Sequence, residues 1–224
     1  MDAVDLGIVP YEEGYFLQQK ARNDRIHGRS QDVVFLLEHE HVITIGKSGQ
    51  LEDLLIPEEQ IRDAGIDVRR VSRGGKLTCH YPGQLVVYPI FDLRGYGNDI
   101  QGFVYNLEET IIRTLADYGV VGERIPKYRG VFVGNDKIAA VGIEVKNFVT
   151  MHGFSFNIRE DWSLYSLFVP CGIRDKGIAF LERYVDSDAD ITMHEVKGRI
   201  IHHLSQVFSK IVRQDGDARA IQTA

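Results

Sequence analysis

The spacing of apolar residues along the chain alternates between a helical and an extended repeat. Between residues 98 and 118, apolar side chains recur every three or four positions, which predicts an amphipathic helix. Asp99 or Asn98 can cap its start, and Gly119 can end it. Turn signals around similar patterns predict two more helices, over residues 10–25 and 57–64. A C-terminal helix is indicated by Val196, Ile200, Leu204, Val207 and Ile211.

Short runs rich in β-branched residues lie between these helices and predict strands. The predicted strands are residues 33–38, 42–45, 68–72, 77–80, 84–91, 131–133, 137–145 and 149–158. The sequence Gly134-Asn135-Asp136 suits a tight hairpin between two of them. Because neighbouring strands form hairpins with helices interspersed, we expect an α+β fold and not a doubly wound parallel sheet.

Composition narrows the class of protein. The 224 residues are 44% hydrophobic and 26% charged, which is typical of a folded chain, and we expect one domain over 1–224 with a polar tail from about 214. The net charge of −6 argues against nucleic-acid binding by a basic surface. With two cysteines there is no disulfide scaffold, and no run reaches the ~18 apolar residues of a membrane span. Because the first residues also lack the pattern of a signal peptide, we expect a cytoplasmic protein.

One glycine-containing segment could form a ligand site. It has the sequence Arg73-Gly74-Gly75-Lys76-Leu77-Thr78-Cys79-His80-Tyr81-Pro82-Gly83-Gln84. Paired glycines allow backbone N–H groups to approach a ligand closely, and the flanking Arg73 and His80 add charge and hydrogen-bonding capacity. The alternative is an ordinary glycine turn between two strands. The segment does not match the phosphate-binding loop pattern.

Two later segments carry polar groups among small and apolar residues. Lys137 begins an apolar strand, where it could lie at the mouth of a site or be an exposed hairpin lysine. His152 precedes Gly153, Phe154 and Ser155, which could form a wall for a ligand chain, whereas a lone histidine is more often structural.

Cys171 is the candidate nucleophile, since its position between Pro170 and Gly172 indicates a constrained loop. The alternative is a buried, inert thiol. A nearby Lys137 or His80 would favour the reactive thiolate. Cys79, in a predicted strand, is expected to be a small packing residue. The sequence contains no CxxC, HExxH or comparable ligand spacing, so we expect no metal.

These segments, in this order, resemble the lipoyl(octanoyl) transferase family. The resemblance runs from about residue 35 to 181. The shared fragments are Leu37-Glu38-His39 with Thr44-Ile45-Gly46, Arg73-Gly74-Gly75 through Pro82-Gly83-Gln84, Lys137-Ile138-Ala139-Ala140, His152-Gly153 with Asn157, and Pro170-Cys171-Gly172-Ile173. Each fragment alone is weak, whereas five in one order are specific.

The resemblance implies a fold like the catalytic domains of biotin and lipoate protein ligases, with a central, mostly antiparallel sheet and flanking helices. It implies Cys171 as the acyl-thioester nucleophile, Lys137 as the residue that lowers the thiol pKa, and His152 in support. The implied octanoyl pocket consists of Arg73, Gly74, Gly75, Lys76, Leu77, Thr78, Cys79, His80, Ala140, Val141, Gly142, Gly153, Phe154 and Ser155.

The implied partners are octanoyl-acyl carrier protein as donor, and lipoyl domains of 2-oxoacid dehydrogenase complexes and the glycine cleavage H protein as acceptors. No cofactor is implied, and we expect a monomer. Because the chain and both partners are acidic, docking would use a local basic patch. Its candidate residues are Arg69, Arg70, Arg73, Lys76, Lys127 and Arg129. The oxyanion could be stabilised by backbone N–H groups near Cys171 or by His80.

The chain departs from the family pattern at a few positions, which bear on the shape of the pocket. They are Lys76, Cys79, Tyr81 and Ala179-Phe180. Two other functions are considered: an ATP-dependent lipoate or biotin ligase, and a non-catalytic acyl-carrier-binding module. Cys171 together with Lys137 favours the transferase.

Overall fold

The computed structural model describes residues 1–168, 176–185 and 191–209, and it has a mixed sheet with helices on both faces. The strands are β1 (Asp2–Val9), β2 (Val33–His39), β3 (Val42–Ile45), β4 (Asp67–Arg70), β5 (Leu77–His80), β6 (Gln84–Ile90), β7 (Val131–Val133), β8 (Asp136–Lys146) and β9 (Val149–Asn157). The helices are α1 (Tyr11–Ile26), α2 (Glu58–Asp63), α3 (Ile100–Ala116) and α4 (Met193–Val207).

The described strands form two sheets. The larger has six strands in the order β1-β2-β6-β9-β8-β7, and only β1 and β2 pair in parallel. The smaller has the order β4-β3-β5, with β3 parallel to β4 and antiparallel to β5. The expected α+β class and mostly antiparallel sheet are confirmed. The division into two sheets was not expected from the sequence.

The central position of the larger sheet follows from its side-chain pattern. In β2, Val34 and Leu36 pack into the core that α3 and α4 cover, whereas Phe35 and Leu37 pack into the core that α1 covers. Successive residues of a strand face opposite sides, so a continuous apolar run is buried on both faces. The larger sheet is therefore a middle layer between helices.

The helix with the clearest sequence signal has the predicted ends. Asp99 accepts a hydrogen bond from the N–H of Gln101 over 2.9 Å, and Gly119 follows the helix with a φ of +70°. A side-chain oxygen at the cap satisfies one of the unpaired N–H groups of the first turn. Helix α4 has Thr192 at its cap. Ile211, which was expected in this helix, and the polar tail lie outside the described residues.

Strand β1 was missed by the sequence analysis. Asp2, Asp5 and Gly7 interrupt the alternation that predicts a strand. The register against β2 shifts between Asp5 and Gly7, and Gly7 has a φ of +66°. Such a bulge places an extra residue in the strand, so the two-residue repeat is lost at that point.

The smaller sheet has a core of its own. Ile43, Ile45, Leu77 and Cys79 pack with Ile61 of α2, and the cluster also includes Leu164, Phe168 and Phe180. This arrangement brings the residues just before and just after segment 169–175 onto the same small sheet.

Gly153 allows the middle strands of the larger sheet to pack closely. A Cβ atom at this position would lie 2.1 Å from the carbonyl oxygen of Val87 and 2.7 Å from Cδ of Pro89. Because the first clash is with backbone, no rotation of a side chain can relieve it. Gly153 lies opposite Gly142 in the pairing of β8 and β9.

We predict that Gly153→Ala lowers the free energy of unfolding by about 1–3 kcal/mol, the range for overpacking a close-packed interior. The matched control is Gly198→Ala in α4, where the added Cβ meets no atom within 4 Å. This control should raise stability by up to about 1 kcal/mol, because alanine favours the helix. Urea unfolding of the three proteins provides the measurement. Equal effects of the two substitutions would contradict this account of Gly153.

Candidate active site

A cavity of about 560 Å³ lies where the loop before β5 crosses strands β8 and β9. Its volume is in the usual range for small-molecule sites. The site residues expected from the sequence that line it are Arg73, Gly74, Gly75, Lys76, Leu77, Thr78, His80, Lys137, Ala140, Val141, Gly142, His152, Gly153, Phe154 and Ser155. Segments far apart in sequence thus meet at one place.

Cys79 does not line this cavity, and its place in the implied pocket is wrong. Strand β5 alternates, so Thr78 and His80 face the cavity, whereas Cys79 is 1% exposed and packs in the core of the smaller sheet. The packing role expected for Cys79 from the sequence agrees with this position. Tyr81 is fully buried in the same core, with its ring 6.1 Å from that of Tyr165. The bulk of Tyr81 therefore adds to the core beneath the cavity and not to its wall.

The backbone of the glycine loop is bonded to the protein. The N–H of Gly74 donates to the carbonyl of Ile143 over 3.1 Å, and the carbonyl of Gly75 accepts from Ser48 over 3.1 Å. Gly75 has a φ of +86°, which glycine adopts without strain. The glycines thus allow the loop to lie against β8, and the Gly74 N–H is used inside the fold.

Arg73 is buried and belongs to the framework of the site. It is 9% exposed, and its Nη2 donates to the carbonyl and the hydroxyl of Thr44, over 2.8 Å each. Buried charges are costly unless hydrogen bonds compensate them, and β3 provides this compensation. The expectation that Arg73 contributes to an exposed docking patch is therefore wrong.

Lys137 is buried beside the cavity, and not an exposed hairpin lysine. It is 8% exposed, and its Nζ lies 5.2 Å from the centre of the Phe132 ring. Its backbone N–H donates to Gly177, and its carbonyl accepts from Ala179, over 2.9 Å each. The strand end that carries Lys137 is thus bonded to the residues that follow segment 169–175. Cys171 itself lies outside the described residues.

His152 is held by a chain of hydrogen bonds. Its Nε2 lies 3.2 Å from Oγ of Ser72, and Ser72 donates over 2.9 Å to Glu144. Partial burial raises the pKa of Glu144, but hydrogen bonds from Arg22, Lys47 and Ser72 outweigh it and lower the pKa to about 2. Because the ionised carboxylate can only accept, Ser72 donates to it and accepts from His152. His152 therefore carries its proton on Nε2.

The backbone at His152 is unusual for a residue within a strand. Its φ is +62°, in the left-handed region that residues other than glycine rarely adopt. The N–H of His152 donates to Oε1 of Gln18 in α1 over 2.8 Å. A side chain from the neighbouring helix thus satisfies a buried donor that the local turn takes out of the strand pairing.

His39 is a buried histidine whose position was missed by the sequence analysis. Its Nδ1 donates to the carbonyl of Val9 over 3.0 Å, so its Nε2 accepts from the hydroxyl of Tyr88, 2.9 Å away. Burial lowers the pKa of His39 to about 4, and burial with the charge of Arg73 lowers that of His152 to about 3. Both rings are neutral at physiological pH.

Several other residues at the site gave no sequence signal of their own. Those that line the cavity include Tyr11, Tyr88, Ile100, Val104, Tyr128 and Ile143. His39, Gln84 and Asn157 belong to the fragments shared with the family, but the sequence alone predicts no role for them. The fragments marked the site, but the partners of each side chain depend on strand register.

The described part of the chain contains no group of three or more His, Cys, Asp or Glu side chains arranged to hold a metal ion. None of its helices has the length and apolar character needed to cross a bilayer.

Comparison with known proteins identifies the family. Residues 10–205 match the model of the lipoyl protein ligase A/B catalytic domain. The chain belongs to this family. An octanoyltransferase of Caldicellulosiruptor bescii is 45% identical over 92% of this chain and 90% of the relative. An octanoyltransferase of Maridesulfovibrio salexigens is 38% identical over 93% of this chain and 97% of the relative.

The fold has a counterpart among solved structures. A crystal structure of lipoate-protein ligase A bound with ATP superimposes with a TM-score of 0.74 at 16% identity, over 100% of this chain and 92% of that chain. At this identity the likeness concerns the fold. The resemblance recognised in the sequence and the fold class it implied are both confirmed.

We predict that stability falls as the pH drops from about 6.5 toward 4. His39 and His152 have lowered pKa values in the folded protein, so below pH 6.5 the unfolded chain binds protons that the folded chain does not. Each histidine then costs up to about 1.4 kcal/mol per pH unit. The stabilisation from Glu144 is lost at lower pH, from about 4.5 toward 2. Urea unfolding at pH 7, 6 and 5 tests this, and a constant free energy of unfolding would contradict it.

Proposed function

We propose that this chain transfers an octanoyl group from acyl carrier protein to the target lysine of a lipoyl domain, through a thioester on Cys171 that Lys137 assists. The observation that supports this most is the position of Lys137. It is a buried amine at the cavity wall, and its backbone is bonded to Gly177 and Ala179, just after the segment that carries Cys171. The family and its octanoyltransferase members support the reaction class.

The cavity offers an apolar wall for an acyl chain. Leu77, Val104, Val141 and Phe154 line it, and β9 contributes Gly153. Each buried methylene contributes roughly 0.8 kcal/mol, so an eight-carbon chain can provide most of the binding free energy for the donor. His80 and His152 line the same cavity. Their ring nitrogens can form hydrogen bonds with the thioester end of the acyl chain and with the carrier arm attached to it.

The reaction divides into two acyl transfers. The Cys171 thiolate attacks the thioester carbon, a new C–S bond forms, and the bond to the carrier's sulfur breaks. The amine of the acceptor lysine then attacks the same carbon, the bond to Cys171 breaks, and an amide forms. The proton lost by the amine balances the one gained by the carrier's thiol, with Lys137 as the relay. Transfer from thioester to amide is downhill, so no ATP is required.

Lys137 would act mainly on the ionisation of Cys171. A thiol with a pKa near 8.5 is only a few per cent ionised at pH 7, and a cation within ~4–6 Å raises that fraction. Burial favours the effect, because charges interact more strongly away from water.

The docking patch for the carrier is assigned to Lys127 and Arg129. Both are exposed and both line the cavity, beside the half-exposed Ile100. Arg69 is instead paired with Asp67 and Glu12, and Lys76 with Asp53, which offsets their charge. An acidic partner would therefore meet, at the entrance, two basic side chains for which the described part of the chain shows no ion pair. The cytoplasmic location and the monomeric state expected from the sequence stay predictions.

The proposed mechanism predicts a covalent acyl-enzyme. Incubation with octanoyl-acyl carrier protein and no ATP should give a hydroxylamine-labile octanoyl adduct on the wild-type chain, and none on Cys171→Ala. Intact-protein mass spectrometry measures both. Lys137→Met keeps the side-chain volume and should form the adduct slowly at pH 7, with the rate rising as the pH passes about 8.5 and the thiol ionises unaided.

The controls separate the alternatives. Wild-type chain with ATP and free octanoate tests for a ligase, which would label the lipoyl domain only with ATP present. Folded wild-type chain that binds the carrier but forms no adduct would contradict the transferase and point to a binding module.

The proposed docking patch predicts how charge reversal affects the reaction with acyl carrier protein. The double substitution Lys127→Glu/Arg129→Glu should lower kcat/KM with octanoyl-acyl carrier protein about tenfold or more, and leave it unchanged with a small octanoyl thioester. Arg69→Glu is the matched control and should have a smaller effect. Added salt should reduce the difference between the wild type and the double variant. An equal loss with both donors would exclude this patch as the docking surface.

A further inference from the structure

A chain of buried hydrogen bonds leads from His80 across three strands. Nδ1 of His80 lies 2.7 Å from Oε1 of Gln84, and Nε2 of Gln84 donates to Oδ1 of Asn157 over 2.9 Å. Nδ2 of Asn157 then donates to the carbonyl of Ala179 over 3.1 Å. All three side chains are buried. This series of hydrogen bonds connects β5, β6 and β9 to the segment that follows residues 169–175.

The last group fixes the direction of every bond in this chain. The Ala179 carbonyl can only accept, so the amide nitrogen of Asn157 must face it and its oxygen must face Gln84. Gln84 must then present its nitrogen to Asn157 and its oxygen to His80. It follows that His80 carries its proton on Nδ1, because Oε1 of Gln84 can only accept. Neither amide can rotate without placing two donors or two acceptors together, which is costly in a buried site.

The same segment is bonded to Lys137. The N–H of Ala179 donates to the carbonyl of Lys137 over 2.9 Å. Gln84, Asn157 and Lys137 also line one small void next to the main cavity. The orientation of His80 and the position of Lys137 therefore depend on the same few residues.

His80 lines the main cavity, and no hydrogen bond to its Nε2 is found within the described part of the chain. With the proton on Nδ1, Nε2 has a lone pair and accepts hydrogen bonds. Burial, with neighbouring His39, lowers the pKa of His80 well below its usual value, so the ring is neutral. Of the two oxyanion donors left open by the sequence, His80 is therefore excluded in this tautomer. A neutral, weakly basic ring also suits orientation of a donor better than removal of a proton from an ammonium group.

We propose that Gln84 and Asn157 are positioning residues that hold His80 as a hydrogen-bond acceptor for an uncharged N–H group of the substrate. This rests on the proposed function, in which two substrates bring such a group to the cavity. One is the amide N–H of the carrier arm, and the other is the neutral amine of the acceptor lysine. An acceptor at one N–H would turn the lone pair of the amine toward the thioester carbon.

The tautomer is tested without any activity. Nitrogen NMR of histidine-labelled wild-type chain should show His80 protonated at Nδ1 and not at Nε2 at pH 7. His39 provides an internal reference, since its own Nδ1–H is fixed by Val9. A His80 ring protonated at Nε2 would overturn the proposal, whether or not the chain proves to be an octanoyltransferase.

Two substitutions at Gln84 separate positioning from stability. Gln84→Met keeps the volume but removes the acceptor, so the His80 tautomer should no longer be fixed. Gln84→Glu keeps the acceptor for His80 but places a second oxygen against Asn157, so it should be the less stable of the two variants. We expect Gln84→Glu to retain the Nδ1–H form of His80 although it is the less stable variant in urea. We expect Gln84→Met to lose that form although it is the more stable variant. If both variants retain the wild-type tautomer, the positioning role is excluded.

The two half-reactions distinguish the two N–H sources. His80→Phe removes the acceptor, and one half-reaction should slow by about fivefold or more, as for loss of one hydrogen bond. Slower formation of the octanoyl adduct points to the carrier arm, and slower transfer from preformed adduct points to the lysine. Gln84→Met should slow the same half-reaction. An effect below about twofold on both steps, in folded variants, would overturn the proposal.

Discussion

The hydrogen bonds of the Arg73 loop join the two sheets, and the cavity depends on this junction. Arg73 donates to Thr44 in the smaller sheet, while Gly74 donates to Ile143 in the larger one. A buried guanidinium requires these acceptors, because its desolvation is otherwise uncompensated. The cavity therefore lies between two layers whose separation is fixed by a charge and its partners, and not by apolar packing alone.

The same charge contributes to the electrostatic character of the wall. Burial is the main cause that lowers the pKa of His152 and of His80, and the charge of Arg73 adds to it, so the rings behave as neutral hydrogen-bonding groups. The cation that the proposed chemistry uses, Lys137, lies at the start of β8, where its backbone is bonded to Gly177 and Ala179. The site thus combines neutral imidazole rings with two buried cations, Arg73 and Lys137. Because Arg73 is held by Thr44, the proposed chemistry relies on Lys137 to favour an ionised thiol.

The parts of the fold that depend on local sequence were predictable. The cap at Asp99 and the hairpin at Gly134 follow from residues within a few positions of each other. Strand β1 was missed because a bulge breaks its repeat, and the assignment of Cys79 to the pocket failed because a contiguous motif was not divided by strand alternation. A sequence motif shows which segments lie near the site, whereas the direction of each side chain depends on the pairing of strands that are distant in sequence. The hydrogen bonds between His80, Gln84 and Asn157 depend on such pairing, so no short stretch of sequence predicts them.

Gly153 limits how the cavity can change. Glycine is required here because a Cβ atom would clash with the carbonyl of Val87 in the neighbouring strand β6, whatever occupies the cavity. The floor formed by β9 is therefore fixed by the sheet, and larger residues cannot be introduced there to shorten the space. Redesign of the protein for a different chain length would have to act on the wall that α3 contributes, through Ile100 or Val104, where side chains and not strand spacing define the width.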